Sequence, residues 1–266
     1  MHMHIFVVSF FVWTLVEKKE EMWNDRGDMV KNNFVVISLG GSLIVPHLSD
    51  GGGVNVEFLK KFRALVLDAI KNGKKFVIVT GGGKVARVYQ KAGLQLKISK
   101  DNLDWVGIAA TRLNAQLLLS MFSRIANPRI IDRRPTQKES LELLKNKTVV
   151  HIASGWVPGQ SSDHEGVYLA RMFGTHEIIN ASNIAFVFDK DPAKHKDAKP
   201  ILQISWKEYR KLIPSEWKPG MSLPIDPVAA RFAQKHKIRV KILNGTDIEN
   251  LKKAIEGKEF TGTLIS

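Results

Sequence analysis

The residues most able to do chemistry in this chain sit where strand-like runs end. FVIVTGGGKVARVYQ (76–90) places Gly81-Gly82-Gly83 directly after a β-branched apolar run, then Lys84 and Arg87 on what reads as a helix. Glycine tolerates positive φ, so a tight strand-to-helix turn is one reading. The other is an anion seat, with bare backbone N–H groups at a helix start and two cations beside them. Three further strand ends share the character: Gly40-Gly41-Ser42, Gly155 to Asp163, and Asp189 to Pro192. In an open parallel sheet, ligands bind beyond the carboxyl ends of strands. Four polar or glycine-rich ends in one sheet therefore carry more weight than one glycine turn.

The elements that must position these ends alternate from Phe34 onward. FVVISL (34–39), 76–80, 129–131, 148–152, 177–179, 184–188, IRVKIL (238–243) and TGTLIS (261–266) read as strands. Helical spacing covers 56–71, 85–92, 103–125, 137–145, 162–173, 227–237 and 248–256. Short βα alternation implies a mainly parallel sheet covered on both faces. Residues 189–200, DKDPAKHKDAKP, read as a hydrophilic insertion, and 206–224 as a second loop-rich stretch.

Bulk numbers bound the chemistry. At 266 residues and 44% hydrophobic, the chain suits one large α/β domain or two small ones. Forty Lys+Arg against 26 Asp+Glu give +14, which favours anionic ligands or reflects a generally basic surface. No arginine-rich arm or aromatic RNA-binding signature accompanies the charge, so nucleic acid is the weaker choice. Zero cysteines exclude disulfides, thiolate metal sites and cysteine nucleophiles, and fit a reducing cytoplasm. The N-terminal apolar run, Ile5 to Val16, is short for a membrane span. It also lacks a preceding cation and a cleavage site. Met29 is the expected natural start and 1–28 an extension outside the fold. Neither GxxxxGK[ST] nor GxGxxG occurs, and IDRRP (131–135) lacks the rest of a protein-kinase signature.

LGGSLIVP, GGGKVARVY, DWVGIAATRLNAQLL, GWVPGQSSD, SNIAFVFDKDP with DAKPI, and LPIDPVAARFA, in this order, resemble the amino acid kinase family. Within it they are most similar to uridylate (UMP) kinases of the archaeal type. The likeness spans nearly all of 34–266. It implies a three-layer α/β/α sandwich with a mainly parallel central sheet. The implied acceptor-binding part is about 29–175 and the ATP-binding part about 176–266. It also implies phosphorylation of UMP by ATP with Mg²⁺, in a cytoplasmic homohexamer with nucleotides as its partners. A monophosphate acceptor is already anionic near neutrality, its second pKa being about 6, so such a reaction needs no general base. It needs two anions held in line and their charge neutralised.

By the resemblance, Gly41 and Ser42 contact ATP phosphates, Gly82 touches UMP, and Gly83 and Arg87 face ATP. Lys84 reaches the phosphates or is simply solvated. Asp104 accepts hydrogen bonds from the UMP ribose or caps the following helix. Trp156, Val157, Pro158, Gly159, Gln160, Ser161 and Ser162 wrap the UMP phosphate and base. Asp163 orients a cation or caps a helix. Ser42, Lys84, Arg87 and Asp163 form the expected catalytic set, with no dedicated protein metal site. Ser182, Asn183, Phe188 and Asp191 flank the ATP base and ribose, unless Phe188 points into the core. Asp226 and Pro227 read as a helix cap and first helical residue. The chain departs from the family at Ala185-Phe186, where Asp-Gly is usual, and at Trp156, where a small residue or Thr is expected. Those departures leave room for a kinase of another small acid or monophosphate. They also leave room for a non-catalytic ATP-binding storage or regulatory protein.

Overall fold

The first strand, β1 (Phe34–Leu39), shows how the sequence is divided between two cores. Phe34 and Val36 join one apolar cluster, and Ile37 and Leu39 join the other, the period-two alternation of a strand buried on both faces. The structure, a computed structural model, describes residues 33–48, 53–218, 221 and 223–266. The reading of 1–28 and of Met29 lies outside the described residues.

Short helix α1 (Gly41–Ile44) and long helix α2 (Val56–Lys71) follow β1. α2 buries Phe58, Leu59, Phe62, Leu65, Val66 and Ala69, the stripe its helical spacing foretells. Then come β2 (Lys75–Thr80), α3 (Gly83–Gln95), α4 (Lys100–Met121), α5 (Gln137–Lys145) and β3 (Val150–Ala153). α6 (Ser162–Met172) leads to β4 (Glu177–Ser182), followed by β5 (Val187–Phe188), β6 (Pro200–Ile201) and β7 (Gln203–Ile204). The chain ends with α7 (Trp206–Leu212), α8 (Pro227–Lys235), β8 (Arg239–Asn244), α9 (Ile248–Glu256) and β9 (Thr263–Ile265). The seven-stranded sheet runs β3-β2-β1-β4-β8-β9-β7. Its pairs are parallel except β8 with β9. α2, α4 and α9 contribute to one core, and α6, α7 and α8 to the other. This is the expected three-layer α/β/α arrangement. The chain leaves β1 toward β2 on one side and later returns to β4 on the other. A switch point therefore lies between β1 and β4, where such folds open a ligand crevice.

Three local expectations are corrected. Residues 129–131 form no strand, only a single bridge from Ile131 to Ala153 at the sheet edge, after a proline that has no N–H to give. In 184–188 only Val187 and Phe188 pair, with Pro200 and Ile201 in a separate two-stranded hairpin. The insertion closes on itself there, through Asp189 Oδ1 to Lys199 N (2.8 Å) and Lys190 to Asp197 (2.6 Å). The loop-rich stretch begins with helix α7. Its start is fixed by a capping box between Ser205 and Glu208, a signal present in SWKE.

His151 on β3 is fully buried beside Phe34 and Phe173, and neither ring nitrogen has a partner among the described residues. Loss of water, and next the charge of Lys75, push its pKa down to about 4. The unfolded chain therefore binds a proton the folded chain refuses between about pH 6.5 and 4, and stability falls as pH drops through that window. His151→Leu should reduce this acid sensitivity by up to about 3 kcal/mol in denaturant unfolding at pH 7 and pH 4.5. Equal pH dependence of variant and parent would contradict the assignment.

Candidate active site

Two helices of the described residues differ from the other seven in how they begin. α2 and α4 to α9 carry side-chain caps from Asn55, Ser99, Thr136, Ser161, Ser205, Asp226 and Asp247. α1 and α3 begin at Gly40 and Gly82, and no side chain accepts from their first N–H groups. Uncapped amides at a helix start bind anions. These two starts also touch. A Cβ on Gly41 would collide with the backbone of Gly81 and Gly83, and one on Gly83 with that of Gly41. Gly83 has φ +60°, which an L side chain rarely adopts. The glycines thus serve close approach of two loops as well as turning. Lys84 and Arg87 stand exposed on the first turns of α3, with no ion pair among the described residues. Partial loss of water lowers the Arg87 pKa without threatening its charge.

At the switch point, Gly40 N donates to Ala181 O (2.8 Å) and Ser42 Oγ to Asn183 Oδ1 (3.3 Å). Ser182 Oγ accepts from Ile184 N (3.1 Å). The structure therefore gathers Gly41, Ser42, Ser182 and Asn183 at the ends of β1 and β4. Val187 is the residue buried in the core, whereas Phe186 and Phe188 remain half-buried with their rings edge-to-face at 6.4 Å. The alternative that Phe188 fills the core is thus corrected by strand alternation. Asp191 is exposed and bonded within its own turn, to Ala193 N (3.0 Å) and Lys194 (3.8 Å). No described contact ties it to Ser42 or Asn183.

Helix α4 ties several loops together. Ser99 caps it, so the reading of Asp104 as a cap is corrected. Buried Asp104 instead accepts from Gly159 N (2.8 Å) and Trp217 Nε1 (3.2 Å), both at Oδ2. Two turns on, Thr111 Oγ1 accepts from Gly155 N (2.9 Å), and its carbonyl accepts from Thr80 Oγ1 (2.9 Å). Asn114 Nδ2 donates to Gly81 O (2.7 Å). One helix face thus pins the loops after β2 and β3.

The Trp156 indole is buried in the core, donating to Ile131 O (3.0 Å) and packed edge-on against Tyr168. Val157 is exposed and Pro158 half-buried, and Gly159 turns with φ +91°. Gln160 Nε2 reaches Glu165 Oε1 (2.8 Å). Ser161 caps α6, accepting from Asp163 N (3.1 Å), and its hydroxyl also lies 2.6 Å from Asp226 Oδ2. Ser162 opens the helix. Asp163, then, is not the cap.

Asp163 Oδ1 accepts from Ser38 Oγ (2.8 Å) and Asn180 Nδ2 (2.9 Å), residues directly opposed in the β1–β4 register. Loss of water and the nearby Asp226 carboxylate push Asp163 up to about 7. Asp226 is raised by burial too, and caps α8 through Val228 N (2.7 Å) and Ala229 N (3.0 Å), with Pro227 as first helical residue. The cap and first-turn reading of this pair stands.

The family model for the amino acid kinase family matches residues 33–244. The chain belongs to the amino acid kinase family. It is 32% identical over 234 residues to the uridylate kinase of Methanocaldococcus jannaschii, covering 87% of this chain and 98% of that one. It is 34% identical over 233 residues to that of Archaeoglobus fulgidus, covering 87% and 99%. The crystal structure of the Archaeoglobus fulgidus uridylate kinase superposes with TM-score 0.70 at 31% identity, over 87% of this chain and 99% of that one. A UMP kinase structure from Bacillus anthracis gives 0.72 at 20% identity, over 88% and 96%, a likeness of fold.

Thr80, Thr111, Asn114, Asn180, Glu165 and Trp217 were not singled out from sequence. Thr111 and Asn114 lie in the ATRLN stretch of the family motif, and nothing local marks the others. Glu165 is buried, with Oε1 accepting from Trp156 N (3.2 Å) and Oε2 unpartnered among the described residues. Loss of water pushes its pKa up to about 8. Its stabilising contribution is therefore present below the ordinary carboxyl pKa and lost as pH rises through about 8. Glu165→Gln should match the parent in thermal midpoint at pH 4.5 and exceed it at pH 8.5. A variant that is less stable at pH 8.5 would show that the anion is favoured there.

Proposed function

We propose that the protein transfers the γ-phosphoryl group of ATP to UMP, yielding ADP and UDP. The observation that carries this reading is the backbone contact between two uncapped helix starts, which gives two anion seats side by side. The archaeal relatives named uridylate kinase supply the identity of the acceptor. In this reading Gly41, Ser42, Gly83 and Arg87 hold the ATP phosphates, with Lys84 beside them. Ser182, Asn183 and Phe188 border the base and ribose. Gly82 and the segment from Trp156 to Ser162 receive UMP, and Asp104 takes its ribose. The acceptor-binding part spans about 29–175 and the ATP-binding part about 176–266. Asp163, held by Ser38 and Asn180, fixes the start of α6 against the sheet and orients the cationic surroundings of the transferring group.

A phosphate oxygen of UMP forms the new bond to the γ-phosphorus as the bond to the β–γ bridging oxygen breaks. The acceptor oxygen is already ionised, so no side chain has to remove a proton. Positioning and charge neutralisation remain, and amides with two unpaired cations suit that task. The described residues hold no group of three or more His, Cys, Asp or Glu side chains able to bind a metal. When bound, Mg²⁺ neutralises charge on the β- and γ-phosphates.

The reading includes a homo-oligomer, hexameric by family resemblance, in the cytoplasmic nucleotide pool. Exposed Tyr89, Leu96, Trp105 and Leu113 on α3, α4 and their connection support self-association. No helix of the described residues is long and apolar enough to cross a membrane.

ADP release from Mg-ATP, measured with UMP, CMP, AMP and small acids as acceptors, tests the proposal. UMP should be strongly preferred. Arg87→Ala should lower kcat by about 10²-fold or more, and Asp104→Ala should raise the UMP KM. No UMP-dependent ADP would overturn the function, and an unchanged UMP KM in Asp104→Ala would remove the ribose role.

A further inference from the structure

Trp217 is an unexpected neighbour of the acceptor site. It lies in the connection between α7 and α8, in the C-terminal half of the chain, 113 residues after Asp104. Its indole N–H reaches Asp104 Oδ2 at 3.2 Å. Gly159 N donates to the same oxygen at 2.8 Å. Oδ1 has no partner among the described residues. The connection is delivered independently of this bond, since Arg231 Nη1 donates to Ser215 O at 2.8 Å.

The torsion that turns a carboxylate about its last bond is broad and nearly two-fold, so a single donor fixes it poorly. Two donors converging on one oxygen decide which oxygen is held by the protein and which is left for a ligand. A hydrogen bond to a charged acceptor is also stronger than a neutral one. From these contacts we infer that Trp217 is a positioning residue for the acceptor nucleotide. It locks Oδ2 of Asp104 in place and leaves Oδ1 directed to a ribose hydroxyl, and it remains bonded while the nucleotide is bound. The inference rests on the functional reading above. It also makes the acceptor seat a joint product of both halves of the chain, because the donor comes from the segment that leads into α8.

Trp217→Phe removes the N–H and keeps an aromatic ring. Steady-state kinetics on the full chain should show the UMP KM raised by about tenfold, the loss expected for one hydrogen bond to a charged group. The kcat and the ATP KM should stay at parental values, a split that general loosening of the fold would not produce. With 2′-deoxy-UMP, which offers one hydroxyl fewer, the penalty should shrink, so the preference for UMP over its deoxy form falls. Asp104→Asn run in parallel separates the two levels. If the parent shows no UMP-dependent turnover, the functional reading fails and this inference with it. If Asp104→Asn leaves the UMP KM unchanged, the function stands but the ribose role of Asp104 fails, and this inference with it. If Asp104→Asn raises the UMP KM but Trp217→Phe does not, only the role of Trp217 is overturned. A second measurement does not depend on how the variants fold. In ¹⁵N-indole-labelled parent protein, the downfield N–H signal of Trp217 should persist when UMP saturates the site. Its movement to the free-indole position on UMP addition would show displacement and contradict the inference.

Discussion

Everything at the carboxyl edge of the sheet depends on the backbone contact between the loops after β1 and β2. Gly41 and Gly83 lie so close that neither position has room for a Cβ. Two helix starts are thereby brought together with their first amides uncapped. Placing two like dipole ends side by side is unfavourable unless negative charge lies between them. The protein adds Lys84 and Arg87, without acidic partners among the described residues, which sharpens the imbalance. The parallel sheet and the α4 hydrogen bonds hold this edge, which in the proposed function receives phosphate.

The sheet register carries the second half of the arrangement. Ser38 and Asn180 are paired across β1 and β4, and both donate to Asp163. A one-residue slip of either strand would turn its residue to the opposite face and cost Asp163 Oδ1 one of these two donors. Ser161 then links Asp163 to Asp226, joining the starts of α6 and α8. The carboxylates here organise helix starts, and their pKa values are raised mainly because water is excluded. In the proposed reaction the protein supplies a fixed electrostatic frame rather than a proton acceptor.

Much of this was legible in the sequence because it is local. β-Branched runs ending in glycine gave the parallel strands, and DP in 226–227 gave a capped helix start. The glycine turns after β1 and β2 were legible, but their contact with each other was not, since it joins residues some forty positions apart. The orientation of Trp156 was not legible, because residue type cannot reveal which way an indole turns: its partner at Ile131 O and its edge-on contact with Tyr168 set it in the core. Trp217 was invisible for the same reason: its significance comes wholly from reaching Asp104 across the fold. The fragmentary strands at 129–131 and 184–188 had the right composition, yet an edge proline and a self-closing hairpin outweighed it.

The most direct test is a crystal structure of the protein grown with UMP and a non-hydrolysable ATP analogue. The α-phosphate of UMP should lie at Gly82 and the start of α6, the γ-phosphate at Gly41 and Gly83, with an acceptor oxygen in line with the γ-phosphorus. Phosphates bound on separate faces of the molecule, or two nucleotides that leave the paired glycine loops empty, would contradict it.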